Sequence, residues 1–326
     1  MSEQPPGGAP GARLPDPPDL PDLSDLLDPP QPPGPSGAPS GPRCGPDGVP
    51  PLVDAAWLAE HHDEVVLLQV DDDSASYYDV HLPGALPVAT YDDLYEQVRR
   101  GPITREHFEE LMQSRGVTTD DHVVLYSATA HEDRDHSTFA YWLMRLYRHP
   151  RVSVLDGGML AWVRAGHPLQ TRVPTARRVG RYTSPGRDPW AAVGRDELLA
   201  RYVGSRDGTL LIDCRTPEEY RGRAHHRLDV AVERHRVSGR IPGARSLPSA
   251  LLLRDTRFRS REELHQLFAS RGVSATTDVA LYCRTPERSA TLWFALAGLL
   301  EHPRVRHYVG GWAEYGALLD VPVTRD

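Results

Sequence analysis

"LYCRTPERSATLWFALAGLL" runs from Leu281 to Leu300 and reads as a short apolar strand, one cysteine, a charged loop and an apolar helix. Strand, tight loop and helix in that order form the repeating unit of a parallel sheet covered by helices. The unit occurs twice. "HVVLYS" (122–127) matches "DVALYC" (278–283) at an offset of 156. "HLPGA" (81–85) matches "RIPGA" (240–244) at an offset of 159. "HPRV" (149–152) returns at 302–305, and "LDGGMLAW" (155–162) matches "YVGGWAEY" (308–315), both at an offset of 153. Four matches in one order make the chain two copies of a single domain of roughly 120–140 residues, an ordinary domain size.

Further segments fit this pattern. "VVLLQV" (65–70) and "TLLIDC" (209–214) are apolar runs of strand length, while "REHFEELMQSRG" and "REELHQLFASRG" have helical spacing. The expected fold class is α/β: two domains, each a parallel sheet flanked by helices, preceded by a disordered Pro-rich tail. Residues 1–50 form that tail, holding over half of the 31 prolines and no hydrophobic period. Its "DLPDLSDLLD" (19–28) reads as a solvated stretch or as a docking peptide for a partner. Residues 51–169 form the first domain, 170–190 a linker rich in Pro, Gly and Arg, and 191–326 the second domain.

Composition narrows the function. The formal charge of −8 argues against a general nucleic-acid binder. No run of eighteen apolar residues suggests a membrane span, and "MSEQPPGGAP" has no secretory pattern. The three cysteines, Cys44, Cys214 and Cys283, are too few for a disulfide framework. A reducing, cytoplasmic setting is expected, in which a thiol serves chemistry more often than structure. All 37 basic residues are arginine. Without lysine, Schiff-base chemistry and the lysine-bearing phosphate loop are excluded.

The chemistry is expected at Cys283. Ligands of parallel α/β sheets bind beyond the carboxyl ends of the strands, where helix N-termini add positive potential. Arg284 and Arg288 add full charges, so the thiol's pKa is expected to be lowered and an anion welcomed. "DCRTPEEY" (213–220) marks a second strand end. Simple alternation puts Asp213 and Arg215 beside the cysteine loop, as an ion pair or as substrate contacts; Cys214 then faces away, which favours packing over a role as a resolving thiol for Cys283. No cofactor and no metal site are expected; the histidines of "RGRAHHRLDVAVERHRVSG" (221–239), an insertion relative to the first copy, lack a metal-ligand pattern.

These residues resemble a known family. Two α/β repeats, "D-x-R" with "PEEY", "GRIPGA", "YCRTPERS" and "GGWAEY" are similar to the tandem-domain rhodaneses, the thiosulfate and 3-mercaptopyruvate sulfurtransferases. The resemblance covers about residues 50–325. It implies that Cys283 takes up a sulfane sulfur as a persulfide and passes it to a thiophilic acceptor, a thiol or cyanide. It implies a small anionic donor held by Arg284, Arg288 and Arg215, with Asp213, Thr285, Glu287 and Ser289 supporting the site. The first copy has Ser127 in the place of Cys283, Gln69 in the place of Asp213 and an acidic loop three residues longer. A serine cannot hold a persulfide, so the first domain is expected to be inactive and to complete the cleft.

Three positions depart from the family: Pro286 stands where many members have glycine, Val309 where aspartate precedes the Gly-Gly pair, and Glu219 where some have arginine. A cysteine phosphatase needs C-x5-R, whereas Arg288 falls at C-x4. A cysteine protease lacks a histidine near Cys283 in sequence. The expected enzyme is therefore a thiosulfate sulfurtransferase. A mercaptopyruvate enzyme and a non-catalytic binding module are the alternatives.

Overall fold

The computed structural model describes residues 48–96, 101–129, 135–174, 180–204, 208–224 and 237–326. They belong to one compact unit, Pro42–Asp326. The tail expected over 1–50 lies outside the described residues apart from its last three, as does most of the 221–239 insertion.

The first sheet holds β1 (Leu52–Val53), β2 (Val65–Asp71), β3 (Leu86–Ala89), β4 (His122–Tyr126) and β5 (Val152–Leu155), in the order β1-β5-β4-β2-β3. The second holds β6 (Ala192–Val193), β7 (Thr209–Asp213), β8 (Arg245–Ser246), β11 (Asp278–Tyr282) and β12 (Val305–Tyr308), in the order β6-β12-β11-β7-β8. Between β8 and β11 lies a short antiparallel hairpin of β9 (Leu253–Arg254) and β10 (Arg257–Phe258). All neighbours in the two five-stranded sheets are parallel. The orders are the same, as a duplicated domain requires. β4 and β11 are buried at every residue because helices cover both faces, and so they read as unbroken apolar runs.

The two copies meet through equivalent helices, His136–Leu146 and Pro286–Trp293 with its π-helical extension Phe294–Leu299. Thr138 Oγ1 lies 3.1 Å from Thr291 Oγ1. The Tyr141 and Phe294 rings meet edge-to-face at 4.8 Å. Residues 138 and 291, like 141 and 294, differ by the repeat offset of 153, so each side chain meets its own counterpart. That is the signature of an internal two-fold axis. One apolar cluster runs from Leu68 and Phe139 in the first copy to Leu281 and Phe294 in the second. The linker adds to it: Tyr182 is buried, and Ser184 Oγ donates to Tyr147 O at 2.7 Å.

The paired glycines have a steric reason. At Gly158 and Gly311, both at φ +54°, a Cβ would lie 2.3 Å from Ser127 O and 2.5 Å from Arg284 O respectively. The close approach lets Met159 N–H reach Ser127 O at 3.0 Å and Trp312 N–H reach Cys283 O at 2.7 Å. Only glycine fits such a conformation at such a distance. Each loop is thereby tied to the helix that follows the next strand.

Candidate active site

Cys283 directly follows β11, and Pro286 is the first residue of the next helix. Pro286 suits that position, because its ring fixes a helical φ and its missing N–H would be unpaired there in any case. Its effect is thus to start the helix early. The thiol is fully buried, while Arg284 and Thr285 are half-buried at the rim. Ser289 N–H points at Cys283 Sγ at 3.2 Å, and Ser289 Oγ lies 3.1 Å from it. Thr285 O contacts the sulfur from the other side.

Burial pushes the Cys283 thiol up to about 11; the Arg288 charge opposes this and the Glu287 charge adds to it. The expected lowering is therefore reversed. Burial is the main reason, and the Arg288 and Arg215 guanidiniums are each paired with a carboxylate. Arg288 forms a two-pronged ion pair with Glu219, at 2.8 and 3.0 Å, with both side chains nearly buried. Burial opposes charge on Glu219, but the Arg288 hydrogen bonds and charge outweigh it and hold the carboxyl at about 2. Arg215 pairs with Asp213 (Nη2 to Oδ2, 2.6 Å), donates to Gly239 O at 2.7 Å and lies 4.5 Å over the Trp312 ring.

Strand register corrects the expected facing. Asp213 lies opposite Tyr282, whose hydroxyl donates to Asp213 Oδ2 at 2.7 Å. Tyr282, Trp312 and Ala280 form the cluster on that face, with Arg215 stacked against it. Cys214 and Cys283 belong to the other cluster. Asp213 and Arg215 are therefore across the sheet from the thiol, and Cys214 faces the same way as Cys283. Alternation along one strand is real, but its phase relative to the neighbouring strand is set by pairing.

Other residues at the site carried no signal in one-strand patterns. His307, on β12, places Nε2 2.6 Å from Ser289 Oγ, giving a line from Cys283 through Ser289 to His307. Burial lowers His307 to about 3, so the imidazole is neutral, and its buried Nδ1 has no hydrogen-bond partner. A histidine inside a buried parallel strand was the available clue. Tyr95 of the first copy donates to Glu287 Oε1 at 2.7 Å, so that domain fixes the first turn of the Cys283 helix.

A separate cleft of about 260 Å³ lies among His62, Val66, Pro83, Arg115 and Asp121; it does not include Cys283. Among the described residues, no His/Cys/Asp/Glu group has a metal-holding arrangement, and no helix is long and apolar enough to cross a membrane.

The model of the rhodanese-like domain matches residues 54–165 and 195–318. The chain is 36% identical over 280 residues to the "Sulfur carrier protein TtuD" of Thermus thermophilus, covering 84% of this chain and 96% of that one. It is 35% identical over 275 residues to the "Putative thiosulfate sulfurtransferase 1" of Mycobacterium bovis, covering 83% and 96%. The fold also matches the anaerobic ergothioneine biosynthesis enzyme of Chlorobium limicola, with a TM-score of 0.73 at 23% identity, over 84% of this chain and 70% of that one. Two matched domains, aligned with relatives over nearly their whole length, make this chain a member of the rhodanese-like sulfurtransferase family.

Proposed function

We propose that the chain moves the outer sulfur of thiosulfate to a thiol or cyanide acceptor through a persulfide on Cys283. In the first half-reaction the Cys283 thiolate attacks that outer sulfur, the S–S bond of the donor breaks, and sulfite leaves with its electron pair. An acceptor then attacks the outer sulfur of the persulfide and regenerates the thiolate.

The observation that carries this reading is the sulfur's setting: a cysteine at the end of a central parallel strand, with Ser289 N–H at 3.2 Å and Ser289 Oγ at 3.1 Å. These groups suit a sulfur anion, and the first domain offers only Ser127 at the same place. Relatives named as a sulfur carrier and as a thiosulfate sulfurtransferase support the same chemistry. Arg284, at the half-buried rim, receives the donor's oxyanion. Arg288 joins it when Glu219 yields one prong. Thr285 and Glu287 shape the loop, His307 holds Ser289, and Asp213 with Arg215 braces Tyr282 on the opposite face.

One observation favours a second donor. With Arg288 neutralised by Glu219, the loop carries less net positive charge than its sequence suggests. That balance suits the single carboxylate of 3-mercaptopyruvate. The test is to incubate the protein with each donor and weigh it intact. One added sulfur mapped to Cys283 is expected, and unchanged mass with both donors would leave a binding module instead.

A further inference from the structure

Two thiols follow directly on a pair of neighbouring strand ends in the second sheet. β7 and β11 are parallel, with Asp213 opposite Tyr282. Cys214 and Cys283 are the next residue on each chain beyond that pair, and Cys214 N–H donates to Tyr282 O at 2.8 Å, so the two strands are still held together where the cysteines begin. Residues on one rung project to the same face. Both sulfurs accordingly belong to one apolar cluster, with Ile212, Leu247 and Leu281, and both are free thiols. Neighbouring strands run about 4.8 Å apart, within the roughly 4.4–6.8 Å Cα separation that a disulfide bridges. The sulfurs also feel each other electrically: burial first, and the Cys283 charge next, hold the Cys214 thiol well above the ordinary range.

We propose that Cys214 is a resolving thiol, which attacks the inner sulfur of a Cys283 persulfide, closes a Cys214–Cys283 disulfide and expels the outer sulfur as hydrosulfide. The step rests on the persulfide reading of Cys283. It balances without an added oxidant. The Cys214 S–H bond and the persulfide S–S bond break, the Sγ–Sγ bond forms, and the thiol proton leaves with the sulfide. The two cysteine sulfurs are oxidised and the sulfane sulfur is reduced. A thiol reductant reopens the pair by exchange.

Because Cys214 stays protonated in its apolar setting, resolution is slower than delivery to an acceptor. A persulfide that meets an acceptor hands its sulfur on. One that does not is discharged, and the enzyme is held closed until a thiol reductant arrives.

The experiment uses full-length wild type, Cys214→Ala and Cys214→Val, the last keeping the side-chain volume. Each is loaded with thiosulfate, freed of donor, and followed by intact mass and sulfide release. Wild type should lose one sulfur and two hydrogens, with peptide mapping linking Cys214 to Cys283. The variants should keep the sulfur about tenfold longer. Diamide, which needs no persulfide, should link the same two cysteines in wild type. Added sulfur that persists equally in all three proteins, or diamide treatment that leaves the pair unlinked, overturns the resolving role alone. No added sulfur in any of the three overturns the persulfide reading, and this step with it.

Discussion

The strand ends of β4 and β11 share one backbone contact, Ser127 O or Cys283 O accepting from the helix beyond the next strand, but carry opposite charge. Asp71 occupies the place of Arg215, and Asp135 that of Arg288, at the repeat offsets of 144 and 153. In the first loop Asp71 Oδ1 accepts from Ala128 N–H and Thr129 N–H, at 3.0 and 2.9 Å. Ser127 Oγ donates to Asp135 Oδ1 at 2.8 Å. The amides that follow the strand are thus occupied by the domain's own carboxylate. A strand end of this kind attracts an anion in either copy; the first supplies one from within, and the second has arginines and a thiol there instead. Two charge reversals and a hydroxyl-for-thiol exchange separate the first loop from the second.

The comparison can be broken most severely at the sulfur. Cys283→Ser gives the second loop the residue of the first, and should reduce thiosulfate:cyanide sulfur transfer to the uncatalysed background; appreciable residual turnover would place the chemistry elsewhere. The converse exchange, Ser127→Cys, should gain nothing, because Asp71 and Asp135 still fill the loop. A sulfur found by mass on that variant's new thiol would mean that charge is not what silences the first copy.

Glu219→Gln sharpens the charge argument. It strips Arg288 of its buried partner, which typically lowers stability by about 3–5 kcal/mol, read by denaturant unfolding. The freed guanidinium charge should also lower the Cys283 thiol and speed its alkylation at neutral pH. Unchanged alkylation would show that Arg288 does not govern the thiol. Arg284→Ala should lower kcat/KM for thiosulfate by about tenfold, as expected for one charge-assisted hydrogen bond to an oxyanion. A smaller loss is expected with mercaptopyruvate, and equal losses would deny Arg284 any part in choosing the donor.

The smallest effect is in pH. With the thiol near 11, alkylation of Cys283 in Cys214→Ala should rise steadily between pH 7 and 10 and show no plateau near 8. The native thiol holds its proton more tightly than an unfolded one, whose pKa is about 8.5. Stability from this group is therefore complete below about 8.5 and lost as pH rises toward 11.

Much of this was legible in the sequence because the chain states its pattern twice. The repeats gave two parallel α/β domains, and the strand–cysteine–helix order put Cys283 at a strand's carboxyl end. What stayed hidden lies between strands. That Cys214 and Cys283 lie on one face depends on how β7 meets β11, two strands far apart in the chain, and alternation within "TLLIDC" carries no such information. The same holds for His307, brought to Ser289 from β12, and for Tyr95, brought to Glu287 from the other copy. The partners of Arg288 and Arg215 are matters of the same kind. Charged residues near a thiol predict its reactivity only when their own counter-ions are known.

The burial of the Pro286–Trp293 helix along all eight of its residues also has a meaning in time. Part of its cover is a helix of the first copy, with the Thr138–Thr291 contact spanning 153 positions. Contacts so distant in sequence form late, after much chain entropy has been lost. On a ribosome the first copy emerges and folds ahead of the second, and so stands ready as the surface on which the Cys283 helix docks. β12 and the Gly311–Tyr315 helix, which brings Trp312 N–H to Cys283 O, are made after the Cys283 helix. A nascent chain therefore carries Cys283 as an ordinary exposed thiol until those later elements have emerged, and gains its buried, hydrogen-bonded sulfur only then.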